Sequence, residues 1–190
     1  MYAIVRYSVY ISLLLAALPA LAASGTAGVT LPETYTLNGQ SLVLNGAGIR
    51  SKFFFKIYVG ALYLATATDD AASALAEPGA KSMQMAMLYK EVDADKITEG
   101  WRSGFEANLP PGDLGRLTAR LQRFNSLFPA LHKGDHVYMD FVPGQGTRVT
   151  INGDLRGHIE GDDFFAALLQ VWIGQHPADE DLKRGLLGDR

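Results

Sequence analysis

Arg50 is the residue whose setting asks most plainly for chemistry. It stands between a glycine-rich segment, Asn45-Gly46-Ala47-Gly48, and an aromatic apolar run that opens at Phe53. A guanidinium held between apolar segments needs acceptors, because an unpaired buried charge is very costly. Two arrangements supply them. One is an internal ion pair or bonds to loop carbonyls. The other is a bidentate clamp on a ligand carboxylate or phenolate. The sequence leaves both open. Other reactive patterns are missing. None of His132, His136, His158 and His176 stands at i, i+4 with another His or a carboxylate on a helix face, so no metal motif forms. Neither Ser103 nor Ser126 sits in a nucleophile elbow. Asp162-Asp163 has the composition of a catalytic carboxylate pair, but a helix start is where Asp normally caps. Gly46-Ala47-Gly48 lacks the third glycine and the βαβ frame of a dinucleotide loop.

Composition narrows the field further. The chain has 190 residues, a formal net charge of -3, 48% hydrophobic residues and no Cys. That excludes a disulfide framework and thiolate metal sites. It also supplies no basic field of the kind nucleic-acid binders use. One domain is the default. Residues 1–22 read as a signal peptide: Arg6, then an apolar stretch from Val9 to Leu18, then Pro19 and the small-x-small step Ala20-Leu21-Ala22. The apolar run is short for a membrane span of about 20 residues. The expectation is a periplasmic or secreted protein, with residues 23–190 forming one domain and no stable membrane anchor after cleavage.

The elements that must position Arg50 follow from the patterning. Tyr35 to Leu37 and Gln40 to Leu44 form a hairpin around Asn38-Gly39. Asn45 to Gly48 reads as a tight bend. Lys52 to Leu64 is the strongest strand, dense in Phe, Tyr, Ile and Val. Its face with Phe53, Phe55, Ile57, Val59, Ala61 and Tyr63 is the purer apolar one and is expected to meet the helices. The face with Lys52, Phe54, Lys56, Tyr58, Gly60 and Leu62 is mixed. A short helix spans Asp69 to Glu77. Met83, Met85 and Met87 share one face of the next strand, as core filling or as the wall of a pocket for flexible apolar ligands.

A helix from Asp93 or Asp95 to about Leu109 carries Ile97, Trp101, Phe105 and Leu109 on one stripe. Gly100 and Gly104 beside that stripe imply close packing or room for something next to the helix. A second helix follows Pro110-Pro111-Gly112, capped by Asp113. Then come a three-strand meander from His136 to Ile159 and helices from Phe164 to Trp172 and from Asp179 to Leu187. The order is that of an α+β fold, a mostly antiparallel sheet covered by helices on one face.

Several segments together resemble the chalcone isomerase family, and most of all its exported bacterial chalcone-isomerase-like branch. They are Leu44-Asn-Gly-Ala-Gly-Ile-Arg50, Phe53 through Leu64, Trp101 through Leu109, Phe141-Val-Pro-Gly-Gln-Gly-Thr147, Asp163-Phe-Phe with Trp172-Ile-Gly174, and Asp181 through Leu186. The resemblance runs from about Gly28 to Gly188. It implies an open-faced β-sandwich, a long antiparallel sheet with helices on one side. In the plant enzymes a phenolate adds to a conjugated double bond without any cofactor, and an Arg holds the developing charge; that Arg matches Arg50. The other polar site positions fall here on Tyr58, Ile97, Gly100, Gly104 and Val171. One polar residue of those five is kept, Tyr58. Oxyanion stabilisation depends on several preorganised donors, so chalcone cyclisation is not expected.

The family also contains noncatalytic fatty-acid binders that keep the Arg as a carboxylate clamp. The leading expectation is therefore a binding protein for a small apolar anion such as a fatty acid. Arg50 would hold the carboxylate, Lys56 and Tyr58 would lie at the polar end, and Trp101 and Phe105 would line the apolar part. No cofactor and no metal are expected. The alternative is a cofactor-independent isomerase of the intramolecular lyase type, with Arg50 and Tyr58 acting on an enolate or phenolate. A third reading is an interaction domain with no pocket.

Overall fold

The computed structural model describes residues 23–188, and the expected signal peptide lies outside them. Strand β1 (Ala23–Thr26) turns at Ala27-Gly28 into β2 (Val29–Pro32). Strand β3 (Thr34–Leu37) turns at Asn38-Gly39 into β4 (Gln40–Lys52), which turns at Phe53-Phe54 into β5 (Phe55–Leu64). Helix α1 (Ala71–Ala76), capped by the Asp70 carboxylate, leads to β6 (Lys81–Met87) and the short β7 (Glu91–Val92). Helices α2 (Ala94–Asn108) and α3 (Pro111–Asn125) follow, with Pro111 at the first helical position. The short β8 (Leu131–His132) pairs with β7, and the meander is β9 (His136–Val142), β10 (Gly146–Ile151) and β11 (Asp154–Ile159). Helices α4 (Asp162–Ile173) and α5 (Glu180–Leu186) close the fold.

Seven strands form one antiparallel sheet in the order β11-β10-β9-β6-β5-β4-β3. The helices pack on one face of it, as the α+β reading requires. Met83, Met85 and Met87, Val137 and Met139, and Leu62 and Leu64 point into that layer. Helix α4 lies at its centre, buried on nearly every side, as a helix apolar all round must be. The stripes Ile97/Trp101/Phe105 of α2 and Leu117/Leu121/Phe124 of α3 close over it. The opposite face carries a smaller cluster in which Leu31, Leu37 and Leu42 cover Val59, Ala61 and Tyr63.

Three expectations need correction. First, Asn45 to Gly48 is not a bend. It is the middle of a 13-residue strand, β4, interrupted only by a register shift that leaves Asn45 as a bulge. Its glycines serve close approach: a Cβ on Gly46 would stand 2.2 Å from the Gly185 carbonyl oxygen, so α5 can lie directly on the strand. Second, the faces of β5 are reversed. The mixed face, with Tyr58, Gly60 and Leu62, meets the helices, and Val59, Ala61 and Tyr63 meet the smaller cluster. Counting apolar residues misleads here because Gly60 is a packing residue: a Cβ there would lie 3.0 Å from the Met83 methyl and 3.1 Å from Leu182 Cδ1. Phe53 and Phe54 form the turn and belong to neither face. Third, the expected Asp caps are missing: Asp113 lies inside the first turn of α3 behind Pro110, and Asp162 and Asp163 make no side-chain cap on α4. Asp163 instead takes a bidentate contact from Arg120 (2.6 and 2.8 Å), tying α3 to α4, and Asp162 accepts from the Gly144 N–H.

Candidate functional site

The ladder between β4 and β5 sets Arg50 directly opposite Tyr58. Just beyond them the register shifts: Ser51 pairs with Lys56 and leaves Ile57 as the extra residue. Bulges of this kind re-aim side chains. Here both Ile57 and Tyr58 lie with the helix-side core. The Ile57 carbonyl still finds donors, the N–H groups of Leu88 and Tyr89 at 2.9 and 3.1 Å.

Arg50 Nη1 donates to the Ser51 carbonyl at 2.7 Å and to Asp179 Oδ2 at 3.1 Å. The ion-pair reading of Arg50 is thus realised. Asp179 also caps α5, its Oδ1 accepting from the Asp181 and Leu182 N–H groups at 2.9 and 3.0 Å, and its Oδ2 takes the Ser51 N–H at 3.1 Å. Burial by itself would raise the Asp179 carboxyl. The N–H groups of Leu182 and Ser51 and the Arg50 guanidinium outweigh it and hold the group below the usual carboxylate range. Only one edge of Arg50 is spent. Its Nε and Nη2 meet no acceptor among the described residues.

Tyr58 is buried, and its hydroxyl oxygen accepts from Trp172 Nε1 at 2.9 Å. Burial pushes the phenol up to about 12, against the smaller opposing pull of the Trp172 bond and Arg50. At neutral pH Tyr58 is therefore a neutral donor, and its proton meets no acceptor among the described residues. Trp101 packs on Trp172 with ring centroids 5.3 Å apart, and its own indole N–H is buried without an acceptor among the described residues.

These groups border one cavity of about 530 Å³ between the sheet and α2, within the usual size of small-molecule sites. Arg50, Lys52 and Tyr58 come from the hairpin, Met85 and Met87 from β6, Gly100 and Trp101 from α2, and Val171 from α4. Lys96, Glu91, Asp93 and Glu99 bring charge to it. Three of the expected residues, Arg50, Tyr58 and Trp101, converge. Two do not. Lys56 lies on the exposed end of the hairpin and does not border the cavity. Phe105 is fully buried one turn past Trp101 and packs on Phe164 at 5.6 Å. Met83 likewise is core, while Met85 and Met87 are wall.

The two α2 glycines separate the alternatives they posed. A Cβ on Gly104 would fall 2.7 Å from a Val171 methyl, whereas one on Gly100 would meet nothing within 4 Å. Gly104 is there for packing, and Gly100 opens onto the cavity. Sequence reasoning missed Asp179 and Trp172, which orient Arg50 and Tyr58 from 129 and 114 residues away; no local pattern marks such partners. It also missed a shallower depression of about 610 Å³ on the opposite side of the sheet, bordered by Tyr35, Tyr138, Asp140 and Arg148. There Asp140 already accepts from Tyr35, Ser82 and Arg148 at 3.0, 2.7 and 3.1 Å, so its carboxylate is partnered within the protein. Among the described residues no group of three metal-ligating side chains gathers.

The family model described as chalcone isomerase-like matches residues 23–188. In three dimensions the chain is similar to an Arabidopsis thaliana fatty-acid binding protein, with a TM-score of 0.68 at 15% sequence identity, over 87% of this chain and 96% of that one. No curated protein matches the chain by sequence.

Proposed function

The chain belongs to the chalcone isomerase-like family, and we propose from that premise that it binds a small apolar acid, a fatty acid first, in the cavity beneath α2 and does not transform it. The carrying observation is the pairing of Arg50 and Tyr58 at the wall of an otherwise largely apolar cavity, with the free edge of the guanidinium and the phenol proton both without acceptors among the described residues. A carboxylate answers both. Met85, Met87 and Val171 give an acyl chain apolar contact, and Gly100 leaves it room. The fold similarity to a plant fatty-acid binding protein supports the same reading.

The same geometry counts against an isomerase. Tyr58 held protonated can donate a hydrogen bond but cannot remove a proton at neutral pH. Three positions that the resemblance aligns with polar catalytic groups, Ile97, Gly100 and Val171, present no such group to the cavity. The proposal includes export, with residues 1–22 as a signal peptide and a periplasmic or secreted site of action.

Both tryptophans of the chain, Trp101 and Trp172, stand at this site, so intrinsic fluorescence reads it directly. Titration with a long-chain fatty acid is expected to change that emission. Arg50→Ala should weaken binding by roughly tenfold to a hundredfold, the value of a hydrogen bond to a charged group, while the circular dichroism stays that of the parent. Equal affinity in a folded Arg50→Ala protein would sink the clamp, and no saturable binding by the parent would sink the function. If Arg50→Ala unfolds, Arg50→Lys, which keeps the charge and loses the fork, carries the test.

A further inference from the structure

We propose that the tip of the β4–β5 hairpin is a wedge that docks this protein onto anionic lipid surfaces, with the cavity mouth beside it. Five large hydrophobic residues are exposed among those described, and four of them gather here: Phe53 (86%), Phe54 (99%), Phe55 (55%) and Tyr89 (36%). The Phe55 and Tyr89 rings touch, with centroids 5.4 Å apart. Scattered single exposures need no explanation, but a contiguous aromatic group on a protruding turn does.

The backbone shows that the aromatics are held there against local preference. The described residues contain three other two-residue hairpin turns, Ala27-Gly28, Asn38-Gly39 and Asn152-Gly153. In each, the first residue takes a left-handed φ between 49° and 54° and glycine follows. The fourth turn has the same left-handed first residue, at φ 55°, but it is Phe53 and Phe54 follows. A bulky residue at positive φ is strained, and departures from local rules of this kind collect at functional sites.

Charge names the partner. Apart from Arg50, which Asp179 already pairs, the hairpin from Gln40 to Leu64 contains Lys52 and Lys56 and no acidic residue, in a chain whose formal net charge is -3. Lys90 follows Tyr89. Of the nearest acids, Glu91 and Asp93 border the cavity, and Glu91 faces His132 at 3.8 Å. Exposed aromatic residues flanked in the chain by lysines match an anionic bilayer interface, where the rings enter the headgroup boundary and the lysines meet the lipid charge. A standard protein interface covers about 800 Å² on each partner, a broader patch than these four rings make. Among the described residues no helix is long and apolar enough to cross a membrane. Lys52, Ile57 and Tyr89 belong both to the tip region and to the cavity wall. Delivery of an acyl ligand at that mouth rests on the fatty-acid reading; the docking does not.

The chain has no Cys, so single cysteines can carry an environment-sensitive fluorophore. The full chain is labelled at Phe54→Cys, or at Leu155→Cys on the edge strand β11 as a control, and mixed with phosphatidylcholine vesicles with and without phosphatidylglycerol. The tip label should shift to the blue only with phosphatidylglycerol, and the control should not. Phe53→Ser/Phe54→Ser should lower vesicle co-sedimentation by about tenfold or more and leave fatty-acid titration unchanged. Lys56→Glu/Lys90→Glu and added salt should weaken docking. Phe53→Asn should raise the melting temperature while lowering docking. A tip label that does not move, or a control that moves equally, overturns the proposal and leaves a protein as the occupant. A chain that docks without binding the acid removes the fatty-acid reading alone.

Discussion

At the scale of single residues, Arg50 does two jobs at once, and Asp179 decides how they share. The carboxylate holds one edge of the guanidinium at 3.1 Å, so a ligand acid must work beside an existing negative charge. Removing that charge without removing the cap should tighten binding. Asn caps helices as well as Asp, so Asp179→Asn keeps the start of α5 and frees Arg50. The expected result is a several-fold rise in fatty-acid affinity by tryptophan fluorescence, with a small loss of stability. Weaker binding would mean that Asp179 positions Arg50 for the ligand rather than competing for it.

At the scale of elements, glycine spacing controls what lies against what. Gly46 and Gly48 let α5 rest on β4, and Gly185 returns the fit, since a Cβ on it would lie 2.6 Å from the Ala47 carbonyl oxygen. On α2 the two glycines predict opposite outcomes. Gly100→Leu should fill the cavity and abolish acid binding, and the helix should gain stability because glycine costs roughly 1 kcal/mol in a helix interior. Gly104→Ala should be neutral at best, because the added methyl meets the branched Val171 side chain. Thermal unfolding and fluorescence titration of the two variants separate cavity from packing. Retained binding in folded Gly100→Leu would move the ligand out of this cavity.

At the scale of the molecule, buried phenols and depressed carboxylates bracket the stable pH range. Burial pushes Tyr58 and Tyr63 up to about 12 and raises Tyr35 as well, the last helped by the neighbouring Asp140 charge. A raised phenol favours the fold in full below its unfolded value of about 10 and loses that contribution as pH rises through the folded value. The carboxylates run the other way. The Arg120 bond lowers Asp163, the His132 N–H lowers Asp135, and Asp179 is low for the reasons given. Their contribution is full above about pH 4 and is lost as pH falls through the lower folded values. Melting temperature should therefore be flat between about pH 5 and 9 and fall on both sides. On the alkaline side the phenolate absorbance of these three tyrosines should appear together with unfolding. Phenolates that all titrate near pH 10 in a folded protein would contradict the burial of these three residues.

Much of this was legible in one dimension. The meander from His136, the Ile97/Trp101/Phe105 stripe and the two Asn-Gly turns are local patterns, with periods of 2 and 3.6 and turn chemistry that no distant contact had to supply. Arg50 stood out because a cation between apolar segments has few stable settings. The sequence by itself thus determined most of the strands and helices, and that Arg50 must find acceptors. Tertiary structure decided the rest. Which face of β5 meets the helices depended on where α5 lands, and Gly60 records that landing without announcing it. Whether Asn45 to Gly48 turns the chain or continues as strand depended on a helix about 140 residues later. Lys56 and Phe105 shared a strand and a stripe with the cavity residues, yet a bulge and one helical turn took them out of it. Asp179 and Trp172 reached Arg50 and Tyr58 only through folding, since hydrogen bonds act over about 3 Å of space and leave no spacing in the chain.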